Sequence, residues 1–121
     1  MEQLQQRVTL RDLRFYAFHG YYPEEQVLGN EFIVEVEAVF NRSAGTAETL
    51  DATVDYEVVY RMVQEEMTLP RKLLETVAEA ILDQVRAHYA FVHEARVKLI
   101  KNHPPFGGDR AGAAVELIWK R

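Results

Sequence analysis

The 121-residue chain contains no cysteine. That excludes disulfides, thiolate metal sites and a cysteine nucleophile, and it fits a reducing compartment. Long hydrophobic runs are missing as well. No apolar stretch approaches membrane-spanning length, and the glutamine-rich start from Met1 to Arg7 lacks the apolar core of a secretion signal. The expected location is the cytoplasm. There is no basic surplus either, since 14 Lys and Arg face 19 Asp and Glu for a formal charge of -5, without a basic run. Nucleic acid and anionic membrane surfaces are therefore not expected partners. The histidines His19, His88, His93 and His103 show no His-x-His or His-x-x-x-His spacing, so a zinc site has little support. Phe106-Gly107-Gly108-Asp109 follows a strand pattern without opening a helix, which sets aside a P-loop or Rossmann fingerprint.

What is present describes a folding chain. Hydrophobic residues make up 48% and charged residues 27%, close to globular averages and far from disordered compositions. With no repeat, low-complexity tract or linker, residues 1–121 read as one domain.

Val8 to His19 alternates loosely and is rich in Val, Leu, Phe and Tyr, which predicts a strand ending at Gly20. Glu31 to Phe40 is clearer: Phe32, Val34, Val36, Ala38 and Phe40 share one face, with Glu31, Glu35 and Glu37 opposite. The two strands should pair like a hairpin. Asn41 to Asp55 is polar and small, with candidate caps at Thr53 and Asp55. A helix follows from about Tyr56 to Met67, its apolar stripe formed by Tyr56, Val59, Tyr60, Val63 and Met67, until Pro70 breaks it. Leu73 to about Tyr89 keeps the helical period through Leu74, Val77, Ala78, Ile81, Leu82 and Val85. Two strands close the chain, Glu94 to Lys101 and Ala113 to Lys120. The order ββααββ predicts an α+β fold with an antiparallel four-stranded sheet and two helices on one face. Such a sheet leaves two edges unpaired, and edge-to-edge pairing into an oligomeric barrel is one way to hide them.

Lys101 is the most informative position. Ala95, Val97 and Leu99 share a face, and period-two alternation puts Lys101 on that same apolar face at the strand's end. Lost hydration there disfavours the charged form and suits a base, whereas the plainer reading is a lysine snorkelling to water. Glu25 follows Pro23-Glu24, and by itself reads as an acid in a short helical turn with Pro first. Glu75 has the same explanation in the first turn of the second helix, Tyr56 could be core, and His19-Gly20 reads as a turn.

Taken in order, Phe15-Tyr16-Ala17-Phe18-His19-Gly20 with Pro23-Glu24-Glu25, Asp51-Ala52-Thr53-Val54-Asp55-Tyr56, Leu73-Leu74-Glu75, and Lys101 with Pro104-Pro105 resemble the dihydroneopterin aldolase pattern. The resemblance covers essentially the whole chain. It implies the tunnelling fold, in which subunits join their sheets into a barrel, commonly two stacked tetrameric rings forming a homo-octamer. It implies Lys101 as catalytic base, Tyr56 as proton donor or acceptor, and Glu25 as ligand of the substrate's hydroxylated side chain. Glu75 would accept from the pterin's amino group and ring nitrogen, the Leu74 amide would face the pterin carbonyl, and Val54 would line the substrate site. In the family the tyrosine comes from the subunit next to the one holding glutamate and lysine. Asn102-His103 before the prolines and the bulky Tyr21-Tyr22 pair depart from the usual pattern and could alter turnover or side-chain preference.

The implied reaction is a retro-aldol cleavage of 7,8-dihydroneopterin in folate biosynthesis, giving 6-hydroxymethyl-7,8-dihydropterin and glycolaldehyde, with some epimerisation to dihydromonapterin. The dihydropterin's own C=N bond accepts the electron pair, so no cofactor, metal or Schiff base is expected, and Lys101 acts as base rather than nucleophile. Two rivals share the fold. One is the epimerase of dihydroneopterin triphosphate, whose pattern lacks the His-Gly and Pro-Pro signatures. The other is a non-catalytic pterin- or purine-binding oligomer, which would have no use for Lys101 and Tyr56.

Overall fold

The computed structural model describes residues 2–45, 48–103 and 112–121; Pro104-Pro105 and Phe106-Gly107-Gly108-Asp109 lie outside the described residues. Strands β1 (Gln3–Ala17), β2 (Asn30–Ser43), β3 (Val92–Lys101) and β4 (Ala113–Lys120) form one antiparallel sheet in the order of the chain. Helix α1 (Pro23–Leu28) lies between β1 and β2, while α2 (Tyr56–Met67) and α3 (Leu74–His88) connect β2 to β3. The helices pack on the sheet, α3 against β3 and β4 and α2 against β1.

The alternation that predicts β2 is what fills the core. Phe32, Val34, Val36, Ala38 and Phe40 are buried from β2, joined by Ala95, Val97 and Leu99 from β3, and the helices add Val59, Val63, Val77, Ala78, Ile81 and Val85. The looseness of the β1 pattern has a local cause. Leu10 pairs with Val36 and Leu13 with Val34, so Arg11 and Asp12 stand opposite Glu35 alone, a bulge in which Asp12 takes φ 58. Aspartate tolerates that left-handed backbone better than most residues. The extra residue turns Leu13 back to the side occupied by Leu10, and both pack against the core.

Several expected boundaries shift, β2 running on to Ser43 and β3 starting at Val92. β1 begins five residues before Val8, because Gln3, Gln5 and Gln6 pair through their backbones with Ser43, Asn41 and Phe40, and a polar strand edge leaves no hydrophobic pattern. It also ends at Ala17, leaving His19 in the turn. On α2, Tyr56 and Tyr60 are exposed rather than part of the buried stripe, and Met62 and Glu66 are buried in their place. Tyr60 instead stacks at 6.2 Å on Phe15 of β1, on the flank of the helix. Asp55 does cap α2, accepting the Glu57 N–H at 2.9 Å.

Candidate active site

The sheet delivers one group of predicted residues to the end where β3 finishes. Ala95, Val97 and Leu99 have no exposed surface, and the same alternation carries Lys101, 7% exposed, onto the covered face. Pairing with Phe32 on one side and Ala113 on the other fixes its backbone. The Lys101 Nζ lies 2.5 Å from Glu25 Oε2 and 5.8 Å from the centre of the Phe32 ring. The Asn102-His103 pair extends this anchorage. Asn102 donates its N–H to Glu31 O at 3.1 Å and its Nδ2 to Glu31 Oε1 at 2.6 Å, and Asn30 Nδ2 donates to His103 O at 2.7 Å.

Glu25 comes from α1, the short turn with Pro23 in first position. Its Oε1 accepts the Tyr22 N–H at 3.2 Å while Oε2 faces Lys101. Burial alone raises the carboxyl, but the bonds from Lys101 and the Tyr22 amide outweigh it and hold Glu25 below the usual carboxylate range. Glu25 is therefore an anion at neutral pH, facing a buried amine. The chain reaches it by a close passage: a Cβ on Gly20 would lie 2.4 Å from the Glu25 Cβ, closer than non-bonded carbon atoms approach. Tyr21 and Tyr22, in edge-to-face contact at 5.6 Å, stand exposed beside this passage.

Behind the pair is His19, fully buried and edge-on to Phe32 at 5.3 Å. Its Nδ1 accepts the Arg71 N–H at 3.2 Å, and the Gly20 N–H donates to Arg71 O at 2.9 Å. Burial, reinforced by the charges of Arg71 and Lys101, lowers its pKa to about 4, so the ring is neutral at pH 7. From its own residues His19-Gly20 reads as a turn. The spacing of two from buried Ala17 is the signal that could have placed His19 inside. Arg71 is held in turn by Glu66 Oε1 at 2.6 Å, and Glu66 also accepts from Gln84. Three residues beyond Arg71 starts α3, with Leu74 half-buried and Glu75 exposed in its first turn. The Leu74 N–H belongs to the amides that a helix start leaves without internal partners.

Val54 and Tyr56 form a second group elsewhere. Both line a cleft of about 280 Å³ beside Gln6 and Val8 of β1, with Val54 buried and Tyr56 60% exposed. Val8 pairs with Ala38 and Ala38 with Ala95, six residues along β3 from Lys101. At about 3.3 Å per strand residue that is a separation of roughly 20 Å. Tyr56 thus stands beside β1, and Lys101 at the end of β3 against Glu25. Among the described residues no cluster of three or more metal-ligating side chains occurs, and no helix is long and apolar enough to cross a membrane.

A wholly antiparallel four-stranded sheet, covered on one face by two helices and ending in a buried lysine paired with a half-buried carboxylate, defines an α+β protein with acid–base groups at one end of its sheet. The dihydroneopterin aldolase of Escherichia coli, solved in complex with neopterin, has this fold: the TM-score is 0.77 at 21% identity over 93% of this chain and 98% of that one. The family profile for dihydroneopterin aldolase, FolB, matches residues 8–118. The chain belongs to the dihydroneopterin aldolase family. The dihydroneopterin aldolase of Staphylococcus epidermidis is 33% identical over 113 residues, covering 92% of this chain and 93% of its own. That of Bacillus subtilis is 33% identical over 117 residues, covering 95% and 98%.

Proposed function

We propose that this chain, as a single dihydroneopterin aldolase domain of the cytoplasm, cleaves 7,8-dihydroneopterin in folate biosynthesis. Its products are 6-hydroxymethyl-7,8-dihydropterin and glycolaldehyde. The family match and the relatives' names support the aldolase over the epimerase. The observation that carries the mechanism is the contact of buried Lys101 with half-buried Glu25 at the end of β3.

Lys101 takes the proton of the 2′-hydroxyl while Glu25, an anion at its side, accepts from the substrate's hydroxyls and orients them. The C2′–O bond becomes the aldehyde C=O and the C1′–C2′ bond breaks; its electron pair forms a C=C bond between C1′ and the ring carbon, and the π pair of the ring's C=N bond moves onto the nitrogen. Protonation of C1′, through Tyr56, completes the product. Because the ring is its own electron sink, the lysine forms no covalent bond and the step uses no metal. Glu75 takes paired N–H donors of the ring, with the Leu74 amide opposite the ring carbonyl and Val54 on the wall. Carboxylate pairing with two donors gives selectivity for the ring, since leaving such groups unpaired costs about 1–3 kcal/mol each.

The placement of Tyr56 in a cleft beside Val8 of β1, whose register lies roughly 20 Å along the sheet from Lys101 at the end of β3, supports a site completed by a second copy of the chain. The strands at the sheet's edges, β1 and β4, support the way it is assembled: subunits pair edge to edge into a barrel, as an octamer of two tetrameric rings. The test is a product assay. Protein exhaustively treated with EDTA should release glycolaldehyde from unphosphorylated dihydroneopterin at its full rate, and borohydride should trap no adduct. Metal-dependent recovery, or added mass on Lys101, would assign a conventional aldolase mechanism instead.

A further inference from the structure

We propose that His19 is a positioning residue whose imidazole, together with the Gly20 amide, locks the start of α3 to the loop carrying Glu25. It thereby sets the distance between the ring-holding and proton-moving halves of the site. The inference rests on the proposed aldolase reaction for its meaning, and on the following geometry for its substance.

Arg71 is gripped from both sides of its peptide. Its N–H donates to His19 Nδ1 at 3.2 Å and its O accepts the Gly20 N–H at 2.9 Å, a two-point clasp between turns 52 residues apart in sequence. The same short stretch is bound to α1. Gln26 Nε2 donates to Gly20 O at 2.9 Å, and Gly20 lies against Glu25 so closely that a Cβ would overlap it. His19 therefore sits at a junction with Glu25 on one side and the approach to Glu75 on the other. It also packs on the Phe32 ring that carries Lys101 on its other contact.

The protonation of the ring follows from the clasp. Nδ1 accepts, so the neutral ring carries its proton on Nε2, and that buried atom has no hydrogen-bond partner among the described residues. An unsatisfied buried donor is a cost. A leucine would fill the space without it. What the leucine could not do is accept from Arg71, and that single bond is what His19 contributes. The role requires a neutral acceptor at the Nδ1 position and no proton transfer.

Asparagine and glutamine separate this from the alternatives, because the Asn oxygen falls near Nδ1 and the Gln oxygen near Nε2. In His19→Asn, kcat should stay within about threefold of wild type. In His19→Gln it should fall about tenfold or more, since misplacing reacting groups by a fraction of an ångström has effects of that size. Affinity for the pterin product, measured by calorimetry, should change less than threefold in both variants, about. Hydrogen exchange at the Arg71 amide should remain slow in His19→Asn and become fast in His19→Gln. Equal kcat and equal Arg71 protection in His19→Gln and wild type would overturn the proposal. So would a His19→Asn variant that protects Arg71 yet is as slow as His19→Gln, because that marks an acid–base group. If wild-type protein releases no glycolaldehyde, the aldolase reading fails while amide exchange still decides whether the clasp exists.

Discussion

The Glu25–Lys101 pair can be tested as a structural element apart from catalysis. The side chain of Lys101 is 9% exposed and that of Glu25 is 15% exposed, with 2.5 Å between Nζ and Oε2. Replacing Glu25 by Leu leaves the Lys101 side chain inside with no carboxylate partner, and removing one member of a largely buried pair typically costs about 3 kcal/mol or more. Glu25→Leu also gives up the bond from the Tyr22 N–H, a further contribution of about 1 kcal/mol. For a chain of this length, 1 kcal/mol corresponds to about 4 °C in Tm, so the single variant should melt about 12–16 °C lower. Lys101→Met should cost a similar amount by stranding the carboxylate. The double variant removes both charges, and should be more stable than the sum of the single effects predicts by about 2 kcal/mol. Calorimetric unfolding of the four proteins at pH 7 and again in acid measures this coupling. Glu25 is held below its ordinary value of 4.5, so the pair's contribution is complete above that value and disappears as pH falls through the folded-state value beneath it. Additive single effects at pH 7, or a coupling that survives full protonation of Glu25, would refute the pairing.

Lys101→Ala should abolish most cleavage while pterin affinity stays within about threefold, and Glu75→Ala should do the reverse, weakening product binding about tenfold or more. Calorimetric titration of the product against both variants checks the division of labour. His19 titrates near 4 when folded against 6.5 when unfolded, so the unfolded chain binds the extra proton and stability falls as pH drops from 6.5 towards 4. Allowing for partial screening, the loss should be about 2 kcal/mol by pH 4, and His19→Asn should remove that portion of the pH dependence in denaturant titrations. An unchanged slope between pH 6.5 and 4 in the variant would show that His19 is not its source.

Much of the fold was legible because its elements bury one face each. The alternation of β2, the 3.6-residue period of α3 and the Pro70 break between the helices all correspond to described elements. The parts that were hidden follow from interactions without a periodic signature. Gln3 to Gln6 join β1 through backbone bonds alone, and the Arg11-Asp12 bulge inverts the alternation partway along the strand, whereas the short turn of α1 is announced by Pro23 at its start. The site was legible in identity where a residue breaks its own pattern, as Lys101 does by ending an apolar face. It was illegible in arrangement. Nothing local to Glu25 tells that it meets a lysine 76 residues away, or that Arg71 reaches back to His19. Tyr56 falls on the apolar stripe by its spacing, whereas in the fold it stands exposed beside a cleft.

The central claim is that Tyr56 of one subunit serves the Lys101 of another, and subunit mixing measures it directly. Lys101→Ala and Tyr56→Phe proteins, each crippled, are unfolded together in equal amounts and refolded, with mixed oligomers confirmed by native mass spectrometry. When each site draws its lysine chain and its tyrosine chain independently, about a quarter of the sites regain both groups, one half times one half. Glycolaldehyde release should rise to about a quarter of the wild-type rate, well above either parent. A site contained within one chain would carry a defect in every copy, and activity that stays flat at every mixing ratio would contradict the shared site.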